Sequence, residues 1–323
     1  MIRAYASLDG RLDPIDPAAQ DLSAAVWIDL FDPSPEEVAR VEAALGVALP
    51  SREAMSEIEV SSRFDVEGDA RLMTVTLPAN VLDGKPTFAP VTFVLSEHRL
   101  VSLRHHEPSP FRTLVERATR RSLGCVDGET VLLALLETIV DRIADVLEHL
   151  RRAIDAIGHE IFHAPDEARL RSVGLLRLVE RIGRASTLAS DVRETLAALG
   201  LLLGYAVRAA GDGPDAKPRR RRVEVLRADV EALLDYNEAH SEKTAFLLDA
   251  TLGLINIEQN GIIKIFSVVA VVFMPPTLVA SVYGMNFAGM PELEWTLGYP
   301  FAIVLMVVVA ILPYLFFRIR GWL

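Results

Sequence analysis

Cysteine is almost absent from this 323-residue chain. Cys125 stands alone, which excludes a disulfide framework and a Cys-x-x-Cys zinc or redox site. Basic residues are in the minority as well: 33 Lys and Arg against 44 Asp and Glu give a formal net charge of −11. A phosphate backbone needs a basic face, so nucleic acid is set aside as the main partner. Divalent cations suit the acidic balance. The opening MIRAYASLDGRLD lacks an apolar run, so no cleavable secretory leader is expected. The most informative shortage is local. After Lys264 no charged residue appears until Glu292, and none lies between Trp295 and Phe317. Each stretch offers about 20 apolar residues, enough to cross a ~30 Å hydrocarbon core. With a mean hydropathy of +0.28, a purely soluble globular domain is excluded.

What is present divides along the chain. Residues 1–126 mix strand and helix patterns and are expected to form an α/β domain. Strands are read at 25–30, 72–77, 87–95 and 100–104, with a turn at Asp83-Gly84. Ser34-Pro35-Glu36-Glu37 opens a helix: Ser34 is the N-cap, Pro35 the first helical residue and Glu37 the reciprocal capping partner. Residues 127–221 read as a helical hairpin broken at Ala164-Pro165-Asp166 and ending in a polar Gly/Pro loop with the basic run 219–222. A stalk helix over 222–263 then runs with little interruption into the first apolar stretch, 264–284. About 60 continuous residues would extend near 90 Å at ~1.5 Å per residue. Pro275-Pro276 sits where a kink is expected. A loop at 285–298, a second span at 299–317 and a basic tail at 318–323 complete the order.

The loop between the spans carries Glu292 and Glu294 and no Lys or Arg, whereas Arg318 and Arg320 follow the second span. The positive-inside rule therefore places both termini in the cytoplasm. Steps of seven through the stalk and first span give Asp249, Asn256, Ile263, Ala270 and Thr277, with Gly253, Asn260, Ser267, Met274 and Ser281 as companions. Such an a/d seam, polar or small every turn or two, suits parallel helices around water; it equally suits helix–helix glue. His159-Glu160-Ile161-Phe162-His163 fits the H-E-x-x-H zinc-protease pattern. Gly158 precedes it, Pro165 follows closely, and no third ligand stands out downstream, so it is read as incidental. His105, His106 and Cys125 are read as structural or incidental.

Directly after the first span come Tyr283-Gly284-Met285-Asn286 and then Met290-Pro291-Glu292-Leu293. Alone, the Gly-Met-Asn triplet also fits a helix C-cap. In this setting it resembles the CorA family of divalent cation transporters, whose mark is that triplet at the end of the first span and a short loop containing Met-Pro-Glu-Leu. The runs Asn256-Ile257-Glu258-Gln259-Asn260 and Phe273-Met274-Pro275-Pro276-Thr277-Leu278 are similar to CorA too. Weaker echoes are Trp27-Ile28-Asp29-Leu30, Glu57-Ile58-Glu59 and the terminal Trp322-Leu323. The likeness touches both ends of the chain and is densest over 256–293.

The resemblance implies a funnel-shaped homopentamer in a bacterial-type inner membrane, with a cytosolic α/β domain, a long helical stalk and two transmembrane helices. The first spans would line a pore and the second would form an outer ring. It implies passage of Mg²⁺, with Co²⁺ and Ni²⁺ as further ions, closure by cytosolic Mg²⁺, and no enzymatic activity. Self-association, the bilayer and divalent cations are the partners. Gly284, Met285 and Asn286 would form the entrance, where a ring of carboxamide oxygens can hold an ion that dehydrates reluctantly. Thr277, Met274, Ile263, Asn260 and Asp249 match pore-facing positions. Family position favours Phe266 for the constriction, whereas the heptad count favours Ser267. Glu292 and Glu294 would attract cations to the outer mouth. Asp65, Glu67, Asp69, Glu224 and Asp229 are acidic candidates for regulation that no motif singles out. No Walker A sequence or proton relay is visible. The membrane potential supplies about 4.6 kcal/mol per divalent ion at 100 mV, roughly three decades of concentration ratio. A zinc transporter of the same fold, and a membrane-anchored metalloenzyme built on His159 and His163, are the alternatives.

Overall fold

A computed structural model describes residues 1–17, 22–57, 59, 63–81, 84–96, 99–163, 172–209, 216–285, 290–291 and 295–322. The strands are β1 (Ile2–Leu8), β2 (Arg11–Ile15), β3 (Trp27–Phe31), β4 (Phe64–Glu67), β5 (Ala70–Ala79), β6 (Thr87–Ser96) and β7 (Arg99–Arg104). The helices are α1 (Pro35–Leu45), α2 (Arg52–Met55), α3 (Ser109–Arg120), α4 (Gly128–His163), α5 (Ser172–Ala209), α6 (Ala216–Tyr283) and α7 (Gly298–Ile319). The chain forms two compact units, one of Met1–Phe162 with Glu180–Leu247 and a second of His163–Val179 with Leu248–Leu323.

The first unit is built on a seven-stranded sheet in the order β2-β1-β3-β7-β6-β5-β4. Among the described residues only the β3–β7 pair is parallel. The period-two alternation sends Ile28, Leu30, Val94, Val101 and Leu103 to one face, where Val41 of α1 and Met55 of α2 cover them. Ser34 caps α1 as the sequence indicates: its Oγ accepts from Glu37 N, and the Glu37 carboxylate accepts from Ser34 N at 2.8 Å. The opposite face is partly polar. Trp27 Nε1 donates to Ser102 Oγ (3.0 Å), which donates to Asp29 Oδ1 (2.9 Å). Arg104 completes a two-pronged pair with Asp29 through Nε (3.0 Å) and Nη2 (2.8 Å), gives Nη1 to His106 O, and lies between the Phe31 and Phe111 rings. Arg104 is wholly buried, and every charge is matched. This network sits on the parallel seam, and it gives the Trp27-Ile28-Asp29-Leu30 run a structural meaning.

Helices α4 and α5 pack on the same face, with Leu132 and Leu133 near Met73 and Leu95. Gly128 opens α4 against β7, because a Cβ there would run into the backbone of Arg99 and Leu100. The basic run differs from expectation. Residues 219–222 lie inside α6, which starts at Ala216 rather than at 222. Arg219 holds Asp127 and Glu129 at the start of α4, and Arg222 grips Glu137 through both Nε and Nη2 (2.9 Å each). These pairs give the first turns of α6 a partner.

In the second unit, α6 continues through both Pro275 and Pro276 to Tyr283, 68 residues in all and ~100 Å at 1.5 Å per residue. The prolines remove two N–H groups, so the carbonyls of Val271 and Val272 lack their usual helical donors. α6 and α7 are both long and apolar enough to cross a membrane.

Candidate functional site

The membrane-length part of α6 has two unlike sides. Lys264, Val268, Val272, Pro275, Val279 and Tyr283 succeed one another at three- and four-residue steps and are half-buried or buried. From this side Lys264 Nζ reaches Gly321 O beyond the end of α7 (3.3 Å). The seam residues Asp249, Asn256, Asn260, Ile263, Ser267, Ala270, Met274, Thr277 and Ser281 are exposed, and Gly253 is half-buried. At 100° per residue, the centre of the seam over 260–281 lies roughly 140° round the helix from the α7 side. Ser267 falls about 30° from that centre and Phe266 about 70°, both exposed.

The seam hydroxyls have a fixed polarity. Thr277 Oγ1 donates to Phe273 O and Ser267 Oγ donates to Ile263 O, each at 2.8 Å. Their hydrogens are committed to the backbone, so each oxygen presents only lone pairs outward. Water around a cation points its hydrogens outward, and an acceptor-only lining matches that shell. Asn260 adds an amide, Asp249 a carboxylate at the far end, and Ile263, Phe266 and Met274 large exposed apolar groups between them.

Gly284 N donates to Ala280 O at 2.9 Å, and its φ is not in the left-handed region a glycine C-cap would use. A Cβ there would lie 3.2 Å from Ala280 O, a tight contact that a shift of a few tenths of an ångström would relieve. Met285 follows, half exposed, with N donating to Val282 O. Asn286, Glu292 and Glu294 lie outside the described residues, as does Ile58 of the Glu57-Ile58-Glu59 echo.

In the first unit, Asp65, Glu67, Asp69, Glu224 and Asp229 are all exposed. Among the described residues no three His, Cys, Asp or Glu side chains gather as a metal-binding group. The H-E-x-x-H segment forms the last turn of α4. Its Glu160 is engaged by Arg181 and Phe162 stacks on Phe246, so the carboxylate a metalloprotease would need as a base is held in an ion pair. Cys125 is buried, and burial pushes its thiol up to about 11. His240 of α6 is buried too, its pKa lowered first by burial and then by Lys243. Sequence reasoning misses both this histidine and the tie from Lys264 to the end of α7. A lone His in a helical pattern carries no signal, but Gly321-Trp322 after Phe317 is a readable helix stop.

Comparison with known proteins bears on this arrangement. Residues 23–319 match the model of a family described as CorA-like Mg²⁺ transporter protein. The chain is 38% identical over 324 residues to the magnesium transport protein CorA of Haemophilus influenzae, with all of both chains covered. It is also 38% identical over 328 residues to that of Escherichia coli K12, again over the whole of both. In fold it is similar to the complete CorA magnesium transporter of Methanocaldococcus jannaschii, with a TM-score of 0.77 at 21% identity over 100% of this chain and 99% of that one.

Proposed function

The chain belongs to the CorA family of Mg²⁺ transport proteins, and on that premise we propose that it is a Mg²⁺-conducting channel assembled from five copies, with the exposed seam of α6 lining the pore. The observation that carries this reading is the two-sidedness of α6. Its α7 side is half-buried or buried, while roughly opposite lies a row that exposes the hydroxyl oxygens of Ser267 and Thr277 within the span and continues to the Asn260 amide and the Asp249 carboxylate before it. Copies packed around that row would put it in water.

In this reading the ion enters hydrated at Gly284, Met285 and Asn286, helped by Glu292 and Glu294. It then passes Thr277, Met274, Phe266 or Ser267, Ile263 and Asn260, and leaves by Asp249. Neutral acceptors at separated sites bind weakly enough for the ion to move on. Both termini face the cytoplasm of a bacterial-type cell, and cytosolic Mg²⁺ closes the pore through carboxylates shared between copies. Co²⁺ and Ni²⁺, with hydrated shells of similar build, are further permeants.

The test is Mg²⁺ influx into proteoliposomes carrying a Mg²⁺ dye under an inside-negative potential, comparing wild type with Asn286→Ala. Influx in the wild type and its loss in the variant support the hydrated-ion entrance. Absence of Mg²⁺ influx, with Zn²⁺ influx driven by a proton gradient, would replace the reading with a zinc transporter.

A further inference from the structure

The end of α7 is closed by a turn that the sequence builds with care. Gly321 has φ +69°, its N–H meets Arg318 O at 3.1 Å, and Trp322 N–H meets Phe317 O at 3.0 Å. This is a Schellman stop, complete with its apolar contact: the Phe317 and Trp322 rings stack with centroids 5.3 Å apart. Trp322 is thereby folded back beside the last turn of α7, half exposed. From α6, Lys264 gives a hydrogen bond to Gly321 O and sits 5.6 Å from the centre of the Trp322 ring. Arg320 lies over Phe316 at 5.5 Å, and Arg318 is exposed on the same last turn. Lys264, Arg318, Arg320 and Trp322 thus mark the level at which both charge-free runs end. No Asp or Glu occurs between Glu258 and Glu292 or from Trp295 to Trp322.

The geometry points to a band of contact with anionic phospholipid headgroups around the end of α7, where Arg318 and Arg320, two residues apart and so on different flanks of the helix, each take a headgroup, with Lys264 and Trp322 beside them. The stop motif and the Lys264 hydrogen bond satisfy carbonyls that would otherwise draw the arginines inward, so both guanidinium groups are left for an external anion. Guanidinium suits a phosphate diester through paired hydrogen bonds. A lipid fits better than free phosphate because the neighbouring surface is apolar. Phe316, Ile319 and the Trp322 face are exposed beside the arginines, where acyl chains would cover them. Basic residues at a membrane boundary favour anionic lipid additively. The inference rests on the spans crossing a bilayer, and it holds whether or not the seam of α6 is a pore.

Fluorescence quenching tests it. Trp27 is wholly buried in the α/β unit, and Trp295 lies at the other end of the spans, so a Trp295→Phe chain reports membrane-level events from Trp322. The full chain is placed in phosphatidylcholine vesicles with a small share of brominated phosphatidylglycerol or, separately, brominated phosphatidylcholine. The expected result is about a thirtyfold preference for the anionic lipid around Trp322, abolished in Arg318→Gln/Arg320→Gln and kept in reduced form in Arg318→Lys/Arg320→Lys. Equal quenching by the two lipids overturns the proposal, and so does a preference that survives the double Gln variant. Loss of the preference on adding inorganic phosphate would assign the cations to a soluble anion instead. Trp322→Phe in the same background removes the quenching and so identifies the reporter.

Discussion

At the scale of single residues, the charges with the largest consequence are not in the membrane. Asp29 and Arg104 are buried together, and truncating one partner strands the other without water or counter-charge. Asp29→Asn or Arg104→Met should therefore destabilise the chain by about 3–5 kcal/mol, read as an earlier thermal transition in detergent. A change of under about 1 kcal/mol would mean that the network is not what holds β3 to β7. His240 makes a different prediction. Its Nε2 and the neighbouring Asn237 Oδ1 have no hydrogen-bond partner among the described residues, and burial with Lys243 beside it keeps the imidazole neutral. The folded-state pKa is depressed, so the unfolded chain takes up the proton first as pH falls below about 6.5. Stability is thus full above that pH and declines below it toward the lower folded value. Between pH 7.5 and 5.5 the wild type should lose more thermal stability than His240→Gln. Asp155 attracts the charged form, Arg151 disfavours it, and His106, lowered chiefly by its own burial, titrates alike in both proteins.

Elements differ in how openly the sequence announces them. Helix α1 is legible because its capping box is local: Ser34, Pro35 and Glu37 carry the whole instruction within four residues. Strands β3, β5, β6 and β7 are legible from apolar runs with two covered faces. By contrast β4, Phe-Asp-Val-Glu, is an exposed edge strand, and β2 contains Pro14, so neither has an apolar pattern to read. The start of α6 is equally hidden, since Arg219 and Arg222 are ordered by carboxylates some 90 residues earlier, at Asp127, Glu129 and Glu137. Tertiary pairing decides that boundary, whereas local composition suggests a loop. Gly128 is the converse case, unremarkable in sequence yet pressed against β7. Gly128→Ala should cost about 1–3 kcal/mol through forced displacement of α4 from the strand, measured as a lower unfolding midpoint with the sheet otherwise retained. An unchanged midpoint would show that α4 can withdraw freely.

For the whole molecule, the exposed row of α6 is readable in the sequence because seven-residue steps survive as one face of a continuous helix. The polarity of Ser267 and Thr277 is not readable, for it depends on which carbonyl each hydroxyl meets. The proposed channel carries a prediction at this scale. With equal Mg²⁺ on both sides, held below the level that closes the pore, dye-reported influx should follow the imposed potential, vanish at zero potential and ignore a pH difference. A 100 mV potential suffices for roughly three decades of accumulation of a divalent ion. Influx that persists at zero potential under a proton gradient alone would require coupling to protons.

The position of the sheet along the chain also sets an order in time. All seven strands lie within Ile2–Arg104, and its one parallel contact needs β3 to await β7. Lys264, where the first span starts, comes ~160 residues later, which at about 5–20 residues per second leaves roughly 8–32 s of synthesis between the two. The ribosome therefore delivers the slow, non-local part of the fold well ahead of the segments that must be handed to the membrane. The sheet can thus be complete before insertion begins, whereas the part of α6 that belongs to the first unit, up to Leu247, is made directly before the span and docks last.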